Sequence, residues 1–255
     1  MYREWPSSIA GAVAWTAESD GFAGRVLPDG CMDLLWIGGH LVVAGPDRSS
    51  FMTSYPPGAQ YAGLRFAPGL APAVLGVPAH AVRDARVPLD ALWAPAEVQR
   101  LEEQVAAAPS VVAGLESVVA HHARGPAVVD PLLADIVRRA RRGDWVATIA
   151  PAIGLSTRQL QRRALDAFGY GPKLLARILR LGDALALARR GVPLAAVAAE
   201  CGYTDQAHFA NDVRSLAGTT LGELGLGARS QSVGAVAGRA AKRSTELPSG
   251  SRTVA

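Results

Sequence analysis

Between Met32 and Val43 the apolar positions fall into two short runs, Met-Asp-Leu-Leu-Trp-Ile and His-Leu-Val-Val, divided by Gly38-Gly39. Two strand-length runs around a glycine pair predict a β-hairpin, because the turn that matches strand twist needs positive φ, which glycine adopts without strain. Another apolar segment, Tyr61 to Phe66, is bounded by Pro56-Pro57-Gly58 and Pro68-Gly69. Short strands separated by Gly/Pro turns from Arg25 to about Phe66 predict a small β-rich domain. Leu70 to Leu75 reads as a short helix leaning on it, and Pro95 to His122 as mostly helical.

The second half changes period. Asp130-Pro131 sets an N-cap residue before a first-turn proline, the run Leu132 to Arg142 follows, and Gly143 stands where a helix stops. Three more helical segments are punctuated by Gly154, Gly171-Pro172 and Gly191. Leu174, Ile178, Leu181, Leu185 and Ala188 mark one buried stripe on a single long helix from Pro172 to Arg190. The expected fold class is α+β: residues 1–120 form a β-rich domain ending in a helix, 121–129 a linker and 130–228 an all-α domain. Residues 229–255, short of large apolar side chains and rich in Ser, Gly and Ala, form a tail expected to be disordered.

Within the helical half one unit occurs twice. Ile149-Ala150 precede Gly154 as Val197-Ala198 precede Gly202, 48 residues further on, and Leu160 and Phe209 follow the two glycines by six and seven positions. A small residue that lets helices cross, a glycine turn and an apolar anchor on the second helix together read as helix-turn-helix. The stretch Ser156-Thr-Arg-Gln-Leu-Gln-Arg-Arg163 then has a geometry. With Leu160 inward, a rotation of about 100° per residue puts Arg158 and Arg162 outward and Gln159 and Gln161 on the flanks. Arginine matches guanine and glutamine adenine in a major groove, although any amphipathic helix has a charged outer face. In the second unit Ala207 and Asn211 face out, flanked by Gln206, His208 and Ala210, while Asp205 and Asp212 are expected to repel phosphates.

Charge agrees with this division. Residues 1–130 hold 8 arginines against 13 acids, a balance of −5, whereas 131–255 hold 18 basic residues against 9 acids, a balance of +9. A localised positive half suits a polyanion. Cys31 and Cys201 are far apart and lack metal-ligand spacing, so both read as reduced structural thiols. The N-terminus lacks the order of a signal peptide, and the uncharged run 66–82 is too short and too proline-rich to span a bilayer, so a cytoplasmic protein without a membrane partner is expected.

Residues Ser156, Leu160-Gln-Arg162, Gly169-Tyr-Gly-Pro172, Arg180-Leu181-Gly-Asp-Ala184 and Val197 to Phe209 resemble, in order, the DNA-binding domain of the AraC/XylS transcription regulators. The resemblance covers about Leu132 to Leu224 and implies two helix-turn-helix subdomains joined by a rigid helix, entering successive major grooves of double-stranded DNA. Ala164 and Val213 stand where the family usually has phenylalanine, Asn211 replaces a usual arginine and Leu221 a usual proline. The segments Leu27-Pro-Asp-Gly-Cys-Met-Asp33, Gly45-Pro-Asp47 and Arg65-Phe-Ala-Pro-Gly69 resemble an uncharacterised N-terminal domain often fused to such regulators, implying a cupin-like sensing or dimerising module. RNA polymerase, an unidentified small-molecule effector and a second copy of the chain are the further partners implied.

These readings assign base contacts to Arg158, Gln161, Arg162, Gln206, Ala210 and Asn211, and phosphate contacts to Ser156, Thr157, Lys173, Arg177, Arg180 and Thr204. Trp36, Tyr61 and Phe66 are candidates for a ligand pocket and serve equally well as core. Asp29, Asp33 and Asp47 are candidate carboxylates, but turn chemistry explains Asp29 and Asp47. His40 and His80 form no metal set, and no triad, phosphate loop or cofactor fingerprint appears. Neither metal, cofactor nor catalysis is expected. Two rival readings remain: an enzyme whose β-domain acts on a small molecule, and an interaction module that has lost DNA reading.

Overall fold

The computed structural model describes residues 2–122 and 130–226. The expected linker beyond His122 and the expected tail 229–255 lie outside the described residues. The chain runs β1 (Tyr2–Pro6), β2 (Ala12–Glu18), β3 (Gly24–Val26), β4 (Met32–Ile37), β5 (His40–Ala44), β6 (Phe51–Thr53), β7 (Gln60–Phe66), α1 (Ala71–Leu75), β8 (Arg86–Pro88), α2 (Pro95–Ala107) and α3 (Val111–His122). The helical half then follows: α4 (Pro131–Arg141), α5 (Val146–Ala152), α6 (Thr157–Phe168), α7 (Pro172–Arg189), α8 (Leu194–Glu200) and α9 (Gln206–Asp212), closed by a π-helical turn, Val213–Ala217.

Six strands form one antiparallel sheet in the order β1-β2-β7-β4-β5-β8, while β3 and β6 pair separately as a ribbon. The β4–β5 hairpin turns on Gly38 and Gly39, both at positive φ, with Ile37 opposite His40. Strands β1 and β2 escaped the sequence reading: the alternation of β2 is carried largely by alanine, which scarcely distinguishes a buried from an exposed position, and β1, Tyr-Arg-Glu-Trp-Pro, is a charged edge strand that ends in proline. Strand period decides the two faces of the sheet. Ala14, Leu34, Leu64 and Phe66 point to a core shared with α1, α2 and α3, through Val98, Leu101, Leu115 and Val119 among others. Helices α2 and α3 cross closely at Gly114, where a Cβ would come within 2.8 Å of the Val105 Cα. The opposite face carries Trp15, Ala17, Leu35 and Ala44, with Tyr61 and Ile37 alongside.

The helical half has its own core, built on α7 and including Ile136, Ile149, Leu160, Phe168, Ile178, Leu185, Val197 and Phe209. Pro172 opens α7 at a position that needs no N–H partner, and the buried stripe Leu175, Ile178, Leu181, Leu185 and Ala188 runs its length. Leu174 lies half-buried beside that stripe rather than within it. Leu27, from the loop after β3, belongs to this second core, so the two halves interlock.

Candidate nucleic-acid interface

In the first unit Ile149, Ala150 and Leu160 are buried, Leu160 completely (0% exposed), and Gly154 turns the chain at positive φ. Removing a leucine side chain from water contributes about 1.5–3 kcal/mol, which fixes the roll of α6 about its axis. Ser156 caps the helix: its hydroxyl accepts from the Gln159 N–H, while Gln159 Oε1 accepts from the Ser156 N–H at 2.8 Å. Both groups are therefore engaged at the helix start. Arg158, Arg162 and Arg163 are exposed and make no hydrogen bond or ion pair among the described residues. Gln161 is exposed on the flank, with its amide lying over Gly171, where a Cβ would approach within 2.7 Å. Thr157 and Lys173 are exposed.

The second unit repeats the anchor and not the surface. Val197, Ala198 and Phe209 are buried, Phe209 at 0% exposure, and Gly202 makes the turn at positive φ. Asp205 caps α9 by accepting from the His208 N–H at 2.7 Å, which explains a carboxylate expected to repel phosphates. Gln206 and Asn211 are exposed and Ala210 half-buried. Thr204 sits beside the His208 ring, 3.3 Å from Nδ1. Ala164 and Val213, the small substitutes for phenylalanine, are fully buried, and Leu221 is buried in the same core.

Arg177 and Arg180, expected at phosphates, already have an internal partner. Arg177 donates to Asp212 Oδ1 at 2.8 Å and Arg180 to Asp212 Oδ2 at 3.0 Å, while the Arg180 guanidinium also lies 4.3 Å from the centre of the Tyr203 ring. Asp212 is only 5% exposed, and a buried carboxylate needs such partners. Both arginines thus join α7 to α9 through Asp212 while staying partly exposed, and Asp212 faces them rather than an approaching phosphate. Burial, more than the charge of Asp212, pushes the Tyr203 hydroxyl upward.

Sequence reasoning missed three residues. Arg163 extends the exposed basic row of α6. Arg214 is exposed one turn after Asn211, its guanidinium 3.4 Å from the Asn211 side-chain Oδ1, and places a positive charge where the helix lacks one. Trp145 is 81% exposed at the start of α5 and borders a groove running past Lys173 to Gly202 and His208, between the units. Helical spacing gave no signal for Arg163, which stands about 60° round from the inward Leu160, and Arg214 lies in the π-helical turn beyond α9; nothing in the sequence distinguishes Trp145 from a core tryptophan.

The β-rich half holds both units from behind. Arg83 donates to the Gly169 carbonyl at 2.8 Å, where the first unit ends, and His80 lies 3.4 Å from Asp166. Arg25 donates to the Ala217 carbonyl at 3.0 Å, and the Ser50 N–H to that of Leu216 at 2.8 Å, just beyond the second unit. Arg158, Arg162 and Arg163 stay clear of this seam.

The three aromatics expected to line one pocket are divided by strand period. Phe66 is fully buried in the core shared with α1–α3, and Trp36 leans on that core. Tyr61 lines a cavity on the other face together with Trp15, Asp29, Asp33, Asp47 and Arg65. Trp36 and Tyr61 together line a groove of about 520 Å³ on the sheet surface, open to solvent. Among the described residues no group of three or more His, Cys, Asp or Glu is arranged to hold a metal ion, and no helix is long and apolar enough to cross a membrane.

With this geometry in place, residues 149–225 match the family described as "Helix-turn-helix domain". The helical half carries an AraC-type helix-turn-helix domain. Residues 12–88 match "Domain of unknown function (DUF6597)". No curated protein matches the chain. Similar solved structures include an apo point variant of ToxT from Vibrio cholerae (12% identity, 86% of this chain and 98% of that one, TM-score 0.46). Unsaturated fatty acid bound wild-type ToxT is another (11% identity, 82% and 92%, TM-score 0.45), as is ToxT from Vibrio cholerae O395 (10%, 88% and 95%, 0.41). The AraC-type domain supports a DNA-binding transcription regulator.

Proposed function

We propose that the protein regulates transcription by reading duplex DNA with two helices of unequal weight. The observation that carries this is the pair of buried anchors, Leu160 and Phe209, set on either side of α7, which leaves Arg158 and Arg162 outward and uncommitted. On this reading α6 is the principal reader: Arg158 and Arg162 meet base edges, Gln161 contributes from the flank, and Arg163 joins them or a phosphate. Helix α9 adds Gln206, Ala210 and Asn211. Thr157, Lys173, Thr204 and the capped start at Ser156 approach the backbone, where exposed donors and a helix N-terminus suit phosphate.

Residues 130–228 act as the DNA-reading unit and 1–120 as a non-catalytic sensing unit for a small molecule, with RNA polymerase and a second copy of the chain as partners at the promoter. A gel shift on the DNA upstream of the coding region, at two salt concentrations and against scrambled DNA, tests the reading. A sequence-selective shift that weakens with salt supports it. Equal shifts on both DNAs, or none, favour the rival of a β-domain with a helical scaffold.

A further inference from the structure

Between the two units the surface is hollowed into a groove of about 910 Å³, open to solvent. One wall is the start of α5, the floor is the first half of α7, and the far wall is the Gly202 turn with His208 of α9. Trp145 stands on the near wall at 81% exposure. Its backbone is fixed. The carbonyl accepts from the Thr148 and Ile149 N–H groups at 2.8 and 2.9 Å and from the Thr148 hydroxyl at 2.7 Å, and Ile149 is buried. The ring makes no hydrogen bond and no ring contact among the described residues. A single exposed apolar side chain is ordinary on a protein surface. An indole held at the rim of a charged groove is different, because its N–H only donates and its faces are apolar, so it suits a partner that offers both acceptors and a flat apolar surface.

The charge of the groove selects that partner. Lys173 is exposed and has no partner among the described residues. Arg177 and Arg180 share the single carboxylate of Asp212, so three cations against one anion leave two positive charges. Arg177 bonds Asp212 and Ser215 through Nε and Nη2 alone, and its side chain stays 35% exposed. The other carboxylate on the groove, Asp144, faces Arg139 at 3.7 Å. A surplus of positive charge around an exposed indole fits a polyanion with sugar faces.

Spacing agrees. Helix α7, which separates the units, has 18 residues and a length of about 27 Å. Successive major grooves on one face of B-DNA lie about 34 Å apart, and the minor groove between them is edged by a phosphate row on each side. A duplex met by α6 and α9 together therefore lays this backbone over the groove between the units.

We infer that the groove seats the sugar-phosphate backbone beside the intervening minor groove, with the Trp145 ring on a deoxyribose, its N–H on a phosphate oxygen, and Lys173 and Arg177 on phosphates alongside. The inference rests on the DNA reading proposed above and extends it. The stretch between the half-sites is gripped through its backbone, so its length and shape matter where its bases do not.

Binding is measured by fluorescence anisotropy with the full chain, on a duplex that the protein selects from a random pool and on a scrambled duplex, across a range of salt. Trp145→Ala is expected to weaken binding to both duplexes by about five- to tenfold, as the loss of a hydrogen bond and its ring contact does. The slope of log affinity against log salt should stay the same, because no charge is removed. Trp145→Phe, which keeps a ring and drops the N–H, should fall between. Lys173→Ala should make the slope less steep by about one. The urea midpoint of Trp145→Ala should not move, since the side chain faces solvent, and this separates a lost contact from a lost fold. Unchanged affinity of Trp145→Ala on both duplexes overturns the inference and turns the indole toward a protein partner. A loss confined to the selected duplex also overturns it, by making Trp145 a base reader. Wild-type protein that binds the two duplexes equally removes the base reading of α6, while the Trp145 variants still decide the groove; no binding to either duplex removes both.

Discussion

Helices α6 and α9 are anchored alike and armed differently. Each is pinned by one fully buried side chain, Leu160 or Phe209, and each follows a glycine turn. Helix α6, however, runs 12 residues and presents three uncommitted arginines, whereas α9 runs 7 residues and shows solvent mainly Gln206, Ala207 and Asn211. Of the positive charges beside α9, Arg177 and Arg180 are paired with Asp212, and Arg214 is exposed beyond its end. The Asp212 pairs hold α9 to α7 whatever contacts its outer face makes. The difference separates two tasks that one helix can perform together: being held in place and supplying contacts.

The comparison breaks most readily at the anchors. Phe209→Ala is expected to cost about 3–5 kcal/mol and Leu160→Ala about 2–5 kcal/mol, measured by urea unfolding of the full chain. A loss below about 1 kcal/mol at either position, the size of an ordinary surface change or less, means that helix is not held as described. Asp212→Ala comes next, at about 2–3 kcal/mol, below the range for fully buried pairs because both arginine partners reach solvent. Its unfolding midpoint should fall while sequence preference at the first half-site is retained; the opposite pattern would make Asp212 a reading residue.

Asymmetry between the readers is tested by Arg162→Ala, expected to lose about 1–3 kcal/mol on the cognate site and to relax specificity there. Asn211→Ala should lose clearly less in the same titration, and an equal loss would remove the ranking. Ser156→Ala should cost about 1 kcal/mol of stability through its cap, seen as a lower unfolding midpoint. The smallest effect concerns Glu223, whose carboxylate accepts from the Thr219 hydroxyl at 2.6 Å and the Thr220 N–H at 2.9 Å. Those bonds hold its pKa below the ordinary carboxylate value. Its contribution is therefore present above the usual carboxylate range and lost as pH falls through the lowered folded value. Glu223→Gln should flatten that part of the stability profile, and an unchanged acid limb would discount the cap.

Much of this division was legible before the coordinates. Gly38-Gly39, Asp130-Pro131 and the spacing from Ile149 to Leu160 each carry a backbone or packing requirement within a few residues, and the structure honours each. The outward position of Arg158 and Arg162 follows from Leu160 by helical rotation alone. Where partners come from distant parts of the chain, the reading fell short. Arg177 and Arg180 looked like free cations until Asp212, over thirty residues away, was placed beneath them. Trp36, Tyr61 and Phe66 read equally well as pocket or core until the sheet register put Phe66 opposite Met32 and Tyr61 opposite Ile37, on different faces, with Phe66 in the core.

Asp29 shows the same boundary within one residue. Its turn role, accepting from the Cys31 N–H, is local and could be read from an aspartate beside a glycine. Its second role, facing Asp33 and Arg65 across three segments of the sheet, could not. The sequence by itself determined the β-rich and helical halves, the duplicated turn and the basic face of α6, because helix rotation, strand alternation and capping act over a few residues. Tertiary structure alone decided which charges remain available to a ligand, because a charge is neutralised by whatever the fold brings within a few ångströms, however far apart the two lie along the chain.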